Sequence, residues 1–111
     1  MHTHPDDSKI IFIFEGSLNV GLISADTNKV YAKTLRTGDL FAIPQGLLHF
    51  LYNTGNTTAV AITAYNTANP GLQILDYAPF KNDLLSDIVE KVTFVNEAEV
   101  RRLKALFGGS G

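Results

Sequence analysis

Apolar and polar residues follow two different rhythms along this chain. Between residues 9 and 66 the apolar positions form short runs or alternate with polar ones, whereas beyond residue 82 they recur every third or fourth position. The first rhythm predicts strands. Residues 9–14 are β-rich and apolar on both faces, as in a strand enclosed between layers, and Glu15-Gly16 turns the chain into 17–23, where Leu18, Val20 and Leu22 alternate. The polar cluster 25–29 reads as a turn before a strand over 30–33, and 37–39 as a turn before 40–43. Pro44 and Gly46 bend the chain ahead of 48–52, and a further strand follows the 53–56 turn over 58–66. Short strands spaced in this way predict a β-sandwich or barrel.

The second rhythm predicts two short amphipathic helices. Leu84, Leu85, Ile88, Val89 and Val92 fall on one stripe behind Asn82 or Asp83 as N-cap. Asn96 opens a second helix, with Glu99 placed for a capping box, and Val100, Leu103 and Phe107 share one of its faces. Arg101, Arg102 and Lys104 lie toward its C-terminal end, where cations suit the helix dipole, and Gly108 can supply a left-handed cap. The tail 108–111 reads as a flexible linker or a frayed end. Residues 1–107 are therefore expected to form a single domain, with strands over about 9–66 and a helical extension over about 82–107.

Bulk composition narrows the functional classes. A chain of 111 residues that is 45% apolar suffices for one core. Its net charge of −2 and pI near 5.8 offer no basic field, which argues against nucleic acid and anionic membranes as partners. No apolar run approaches the roughly 18 residues of a transmembrane helix. Cysteine is absent, so disulfides and thiolate metal sites are excluded. Asn56, Thr57 and Thr58 form a glycosylation sequon, which matters only in a secreted form.

The candidate chemistry lies in three histidines. His2 and His4 stand at i and i+2, so on a strand they point the same way, and His49 on another strand can complete a set of convergent neutral imidazoles. The surrounding residues extend this into two motifs, His2-x-His4 with position 9 and Gly16, and Gly38 with Pro44-x-Gly46, His49 and Asn53. Both motifs resemble those of the germin and germin-like branch of the cupin superfamily, and the resemblance runs through 55–62 and 69–71 to the helical tail. It implies a jelly-roll cupin β-barrel with a C-terminal two-helix extension. It also implies a manganese centre in which a glutamate joins the three histidines. Members of the family include oxalate oxidases and superoxide dismutases, assembled as trimers of dimers through their helices and secreted to the plant apoplast. A homo-oligomer, trimer or hexamer, is accordingly expected. The family's leader, disulfide and N-terminal strands precede the first motif, and this chain opens almost at His2, so a shortened germin-like chain is expected, with apoplastic residence carried by resemblance alone.

The departure from the family is Lys9, which holds the glutamate position. One reading carries its ammonium to water on the flexible stem. The other turns it inward as a base, an amine nucleophile or an anchor for an anionic ligand, which makes Lys9 the candidate catalytic residue. Asp6 and Asp7 are close enough in sequence to offer a replacement carboxylate, whereas Glu15, roughly 20 Å along the strand, is not. Carboxylate and water suit manganese, while an imidazole-only set suits zinc, nickel, copper or iron(II). The sequence therefore predicts a degenerate three-histidine metal site of His2, His4 and His49, with metal binding as the leading function and germin-type oxidoreductase activity as its catalytic form. The alternatives are a metal-free cupin that binds a small molecule or a partner, and a small biosynthetic catalyst that uses Lys9.

Overall fold

The computed structural model describes residues 1–111, which divide into two compact units, 1–73 and 74–111. The first is built from antiparallel strands: β1 (His2–Thr3), β2 (Lys9–Glu15), β3 (Ser17–Ile23), β4 (Val30–Arg36), β5 (Leu40–Ile43), β6 (Leu48–Tyr52) and β7 (Val60–Tyr65), with β8 (Gln73–Ile74) where it ends. They form two sheets, a five-stranded one in the order β4-β3-β6-β1-β8 and a three-stranded one in the order β5-β2-β7. This is the expected cupin jelly-roll arrangement.

The core lies between the sheets because alternation sends every second residue inward. Ile11 and Ile13 of β2 and Ile43 of β5 meet Leu18, Val20 and Leu22 of β3 and Leu35 of β4, all buried. The single residue between β2 and β3 carries the chain from one sheet to the other. That residue must be Gly16: its φ is +75°, and a Cβ would come within 2.6 Å of the Thr58 carbonyl oxygen.

β2 departs from the expectation of a strand enclosed on both faces. Lys9, Ile11 and Ile13 are buried, but Ile10, Phe12 and Phe14 are exposed on the outer side, Phe14 at 62%. The apolar run does form a strand, with only its inner face buried.

The second unit contains α1 (Ser86–Thr93) and α2 (Glu97–Phe107), joined around Phe80, Val89 and Val100. α1 starts later than predicted, with Leu85 as its N-cap. Asn82 is occupied in the preceding turn, where its amide donates to the Ala78 carbonyl and its oxygen accepts from the Leu84 amide. Only Val89 of the predicted stripe is buried; Leu84, Leu85, Ile88 and Val92 are exposed. α2 follows the prediction at both ends. Asn96 accepts from the Glu99 amide and Gly108 caps the C-terminus in the left-handed conformation. The Glu99 carboxylate does not complete a capping box; it pairs with Arg102, which holds its pKa below the usual carboxylate range.

The tail is not a loose linker. Gly109 and Ser110 donate to the carbonyls of Lys104 and Asn82, and Gly111 accepts from both the amide and the hydroxyl of Ser86. The Lys104 ammonium, 3% exposed, donates to the carbonyls of Asn82, Leu84 and Ser110.

Candidate metal centre

His2 and His49 are brought together by strand pairing. β1 runs antiparallel to β6 with His2 and His49 in direct register, and β6 places His49 opposite Leu22 of β3. Neighbours across a pair of strands sit side by side on one face, and His4 arrives on the same side two residues after His2. The bend that aims β6 is fixed by Gly46, whose φ of +76° favours glycine. Its amide donates to the His4 carbonyl at 3.1 Å and its carbonyl accepts from the Thr3 hydroxyl at 2.7 Å, so one residue ties both histidine-bearing segments together.

The imidazole centroids are 4.1 Å apart for His2 and His49, 5.0 Å for His2 and His4, and 5.3 Å for His4 and His49. One donor nitrogen from each ring lies within 4.8 Å of the other two. Backbone carbonyls select the tautomers. His49 Nδ1 donates to Leu47 at 2.8 Å and His4 Nδ1 donates to Gly71 at 2.6 Å, because a carbonyl only accepts, which leaves each Nε2 as a lone pair. His49 is 1% exposed and its Nε2 has no hydrogen-bond partner in the protein. Burial first, and then repulsion from the Lys9 charge and from any proton on His2 or His4, lowers its pKa to about 4 against the opposing bond to Leu47. At neutral pH His49 is a neutral donor.

Lys9 faces this group from the other sheet. It shares the inward face of β2 with Ile11 and Ile13 and is 4% exposed, so its stem does not carry the ammonium to water. Nζ donates to His4 Nε2 at 3.4 Å and lies 5.9 Å from the centre of the Tyr65 ring. Burial lowers its pKa. Tyr65 is paired with Lys9 across β2 and β7, and its ring stands edge-on to His4 at 5.1 Å.

Neither neighbouring aspartate joins the cluster. Asp7 is buried, but its carboxylate accepts from the amides of Asn66 and Thr67 at 2.8 and 3.4 Å. Asp6 is exposed, and Glu15 is exposed at the far end of β2. A cavity of about 460 Å³, lined mainly by apolar residues of β2, β5 and β7 such as Ile10, Ala42 and Ala64, includes none of the three histidines. Lys9 and Tyr65, which stand against His4, also line that hollow.

The three histidines and Lys9 stand out in the sequence, but nothing there singles out Tyr65 or the Leu47 and Gly71 carbonyls. Tyr65 becomes visible only once β2 and β7 are known to pair. The carbonyls are common to every residue and acquire a role through geometry alone.

A jelly roll that gathers three histidines at one point is a β-protein of the kind that can hold a metal ion, and comparison with known proteins gives its family. The chain belongs to the cupin family, whose model matches residues 1–101, and it is germin-like. It is 51% identical over 111 residues, its whole length, to germin-like protein 8-14 of Oryza sativa subsp. japonica, covering 52% of that protein. It is 43% identical over 109 residues, 98% of the chain, to the auxin-binding protein ABP19a of Prunus persica, again covering 52% of the relative. The structure of a recombinant oxalate oxidase in complex with glycolate superimposes with a TM-score of 0.90 at 33% identity, over 96% of this chain and 55% of that one. The chain spans about half the length of the curated relatives it matches.

The residues present fit a borderline divalent cation. Three imidazoles, one of them with a buried and unpartnered nitrogen, form a donor set for zinc, copper, nickel or iron(II). They do not supply the hard anionic oxygen that favours manganese, since an ammonium stands at that position.

Proposed function

We propose that this chain is the metal-binding domain of a germin-like cupin, in which His2, His4 and His49 hold one divalent ion of the borderline class more readily than manganese. The observation that carries this reading is His49 Nε2: a buried nitrogen with its lone pair fixed by the Leu47 bond, without a protein partner, within reach of two further histidine donors. A buried polar atom left unsatisfied is costly, and a cation shared with His2 and His4 would satisfy it. When bound, such an ion supplies Lewis acidity and, if copper or iron, one-electron chemistry. The chain's own residues contribute fixed tautomers at His4 and His49, and a donor at Lys9 Nζ directed to the same interior.

Elemental analysis of protein purified without chelator tests this. Zinc, nickel, copper or iron near one per chain is the expected outcome, with manganese well below that; stoichiometric, tightly held manganese counts against it. Germin-type oxidoreductase activity is the catalytic form of the same proposal, and turnover of oxalate or superoxide by metal-loaded protein tests it. We propose also that the chain works as a homo-oligomer outside the cell, as the germin resemblance implies.

A second reading is favoured by Lys9. Its ammonium already occupies the His4 lone pair, as it would in a metal-free pocket that binds an organic ligand. Protein that takes up none of these metals at micromolar concentration would favour it.

A further inference from the structure

Charge balance in the histidine pocket is incomplete. A divalent ion would bring two positive charges to three imidazoles, which carry no negative charge, and Lys9 Nζ adds another 3.4 Å from His4 Nε2. No side-chain carboxylate joins the cluster: it contains histidines alone, and the Asp7 oxygens are held by the Asn66 and Thr67 amides. Like charges gathered in a buried site repel strongly unless an anion accompanies them.

Hydrogen bonding leads to the same conclusion. Lys9 has three N–H donors, and its acceptor is His4 Nε2. That nitrogen carries the lone pair of His4, because Nδ1 is committed to the Gly71 carbonyl. A metal ion that takes Nε2 therefore removes the acceptor from a 4% exposed ammonium, which then requires another.

We propose that Lys9 anchors a small monoanion, a carboxylate or a halide, that enters the histidine centre together with the metal ion. The anion accepts from Nζ in place of His4 Nε2. It thereby supplies the negative group that the side chains lack. Lys9 is then a specificity-determining residue that makes metal binding conditional on an anion. This inference rests on the reading of His2, His4 and His49 as metal ligands.

Zinc titration calorimetry on the full chain, in perchlorate, chloride and formate at equal pH and ionic strength and corrected for zinc–anion complexes in solution, tests it. Formate is expected to raise zinc affinity at least about tenfold over perchlorate. Enhancement by formate alone identifies a carboxylate site, enhancement by chloride alone a halide site, and enhancement by both a site for either anion; all three support the proposal. Cobalt(II)-loaded protein is expected to change its visible absorption when the effective anion is added. In Lys9→Gln, which removes the charge, the enhancement and the spectral change are expected to disappear, while affinity in perchlorate rises. Equal zinc affinity in the three salts overturns the anion role and leaves the histidine reading intact, whereas no zinc binding in any salt overturns both. An anion effect that persists in folded Lys9→Gln overturns the assignment to Lys9; if circular dichroism shows that variant unfolded, the salt series on the parent decides.

Discussion

Lys9 determines how far this site has moved from its relatives, and one substitution can measure the distance. Lys9→Glu exchanges a buried ammonium for a hard anionic oxygen beside three imidazoles and is expected to raise manganese affinity at least about tenfold. Lys9→Gln removes the repulsion without supplying a carboxylate, so calorimetry of both variants beside the parent separates charge from ligation. Manganese binding unchanged in both would show that position 9 has no influence on the centre. His49 sets a pH dependence. Its pKa is about 4 in the folded chain against an ordinary value of 6.5, so between these values the unfolded chain takes the proton first. The corresponding stability of the metal-free protein is complete above pH 6.5 and is lost as pH falls toward 4, by up to about 3 kcal/mol. Urea unfolding across this window measures the loss, and His49→Asn should flatten it. A parent midpoint that stays constant from neutral pH down to pH 4 would contradict the buried, neutral assignment.

Among the elements, the two helix termini respond to glycine in opposite ways. Phe94 caps α1 at φ 62° and is 94% exposed, so a bulky residue holds the left-handed region with little packing in return. Phe94→Gly is expected to raise stability by about 0.5–1 kcal/mol in thermal or urea unfolding. Gly109 is the reverse case, because a Cβ there would overlap the Phe80 carbonyl oxygen. Gly109→Ala should cost about 1–3 kcal/mol, and an unchanged melting temperature would show that the tail is not seated on the helices. These two positions also show what the sequence could convey. Alternation revealed most strands, and the two-residue step from His2 to His4 together with the turn glycines around His49 made the imidazole cluster legible from residue order alone. Glycine itself is ambiguous: the run at 108–111 has the composition of a linker, yet the residues at 109 and 111 are small because backbone oxygens stand where a Cβ would be. The onset of α1 was obscured similarly, since Asn82 has the chemistry of a helix cap and uses it in the preceding turn. Apolar residues on both faces of β2 indicated two-sided burial, but only the face toward the other sheet is buried, since alternation alone does not distinguish a covered face from an exposed one.

For the whole molecule, that second side is a prediction. Ile10, Phe12 and Phe14 of β2, Leu40 of β5 and Val60 and Ile62 of β7 are exposed on adjacent strands of the three-stranded sheet, the kind of grouped apolar surface that marks an interaction site. The chain is expected to self-associate through it, and light scattering at micromolar concentration checks this. Phe14→Lys combined with Ile62→Lys should shift the population to monomer, and a compact monomer from the parent would defeat the idea. The smallest strand has a wider consequence. β1 is two residues long, joined to β6 at the His2–His49 register and fastened by Thr3 and His4 to Gly46. Undocking so short a strand needs no global unfolding, only a local opening that breaks a few bonds and carries two of the three imidazoles away. The centre's lifetime would then be a clock set by this opening rather than by coordination chemistry, and exchange of the Gly46 amide with solvent would report each time the clasp lets go.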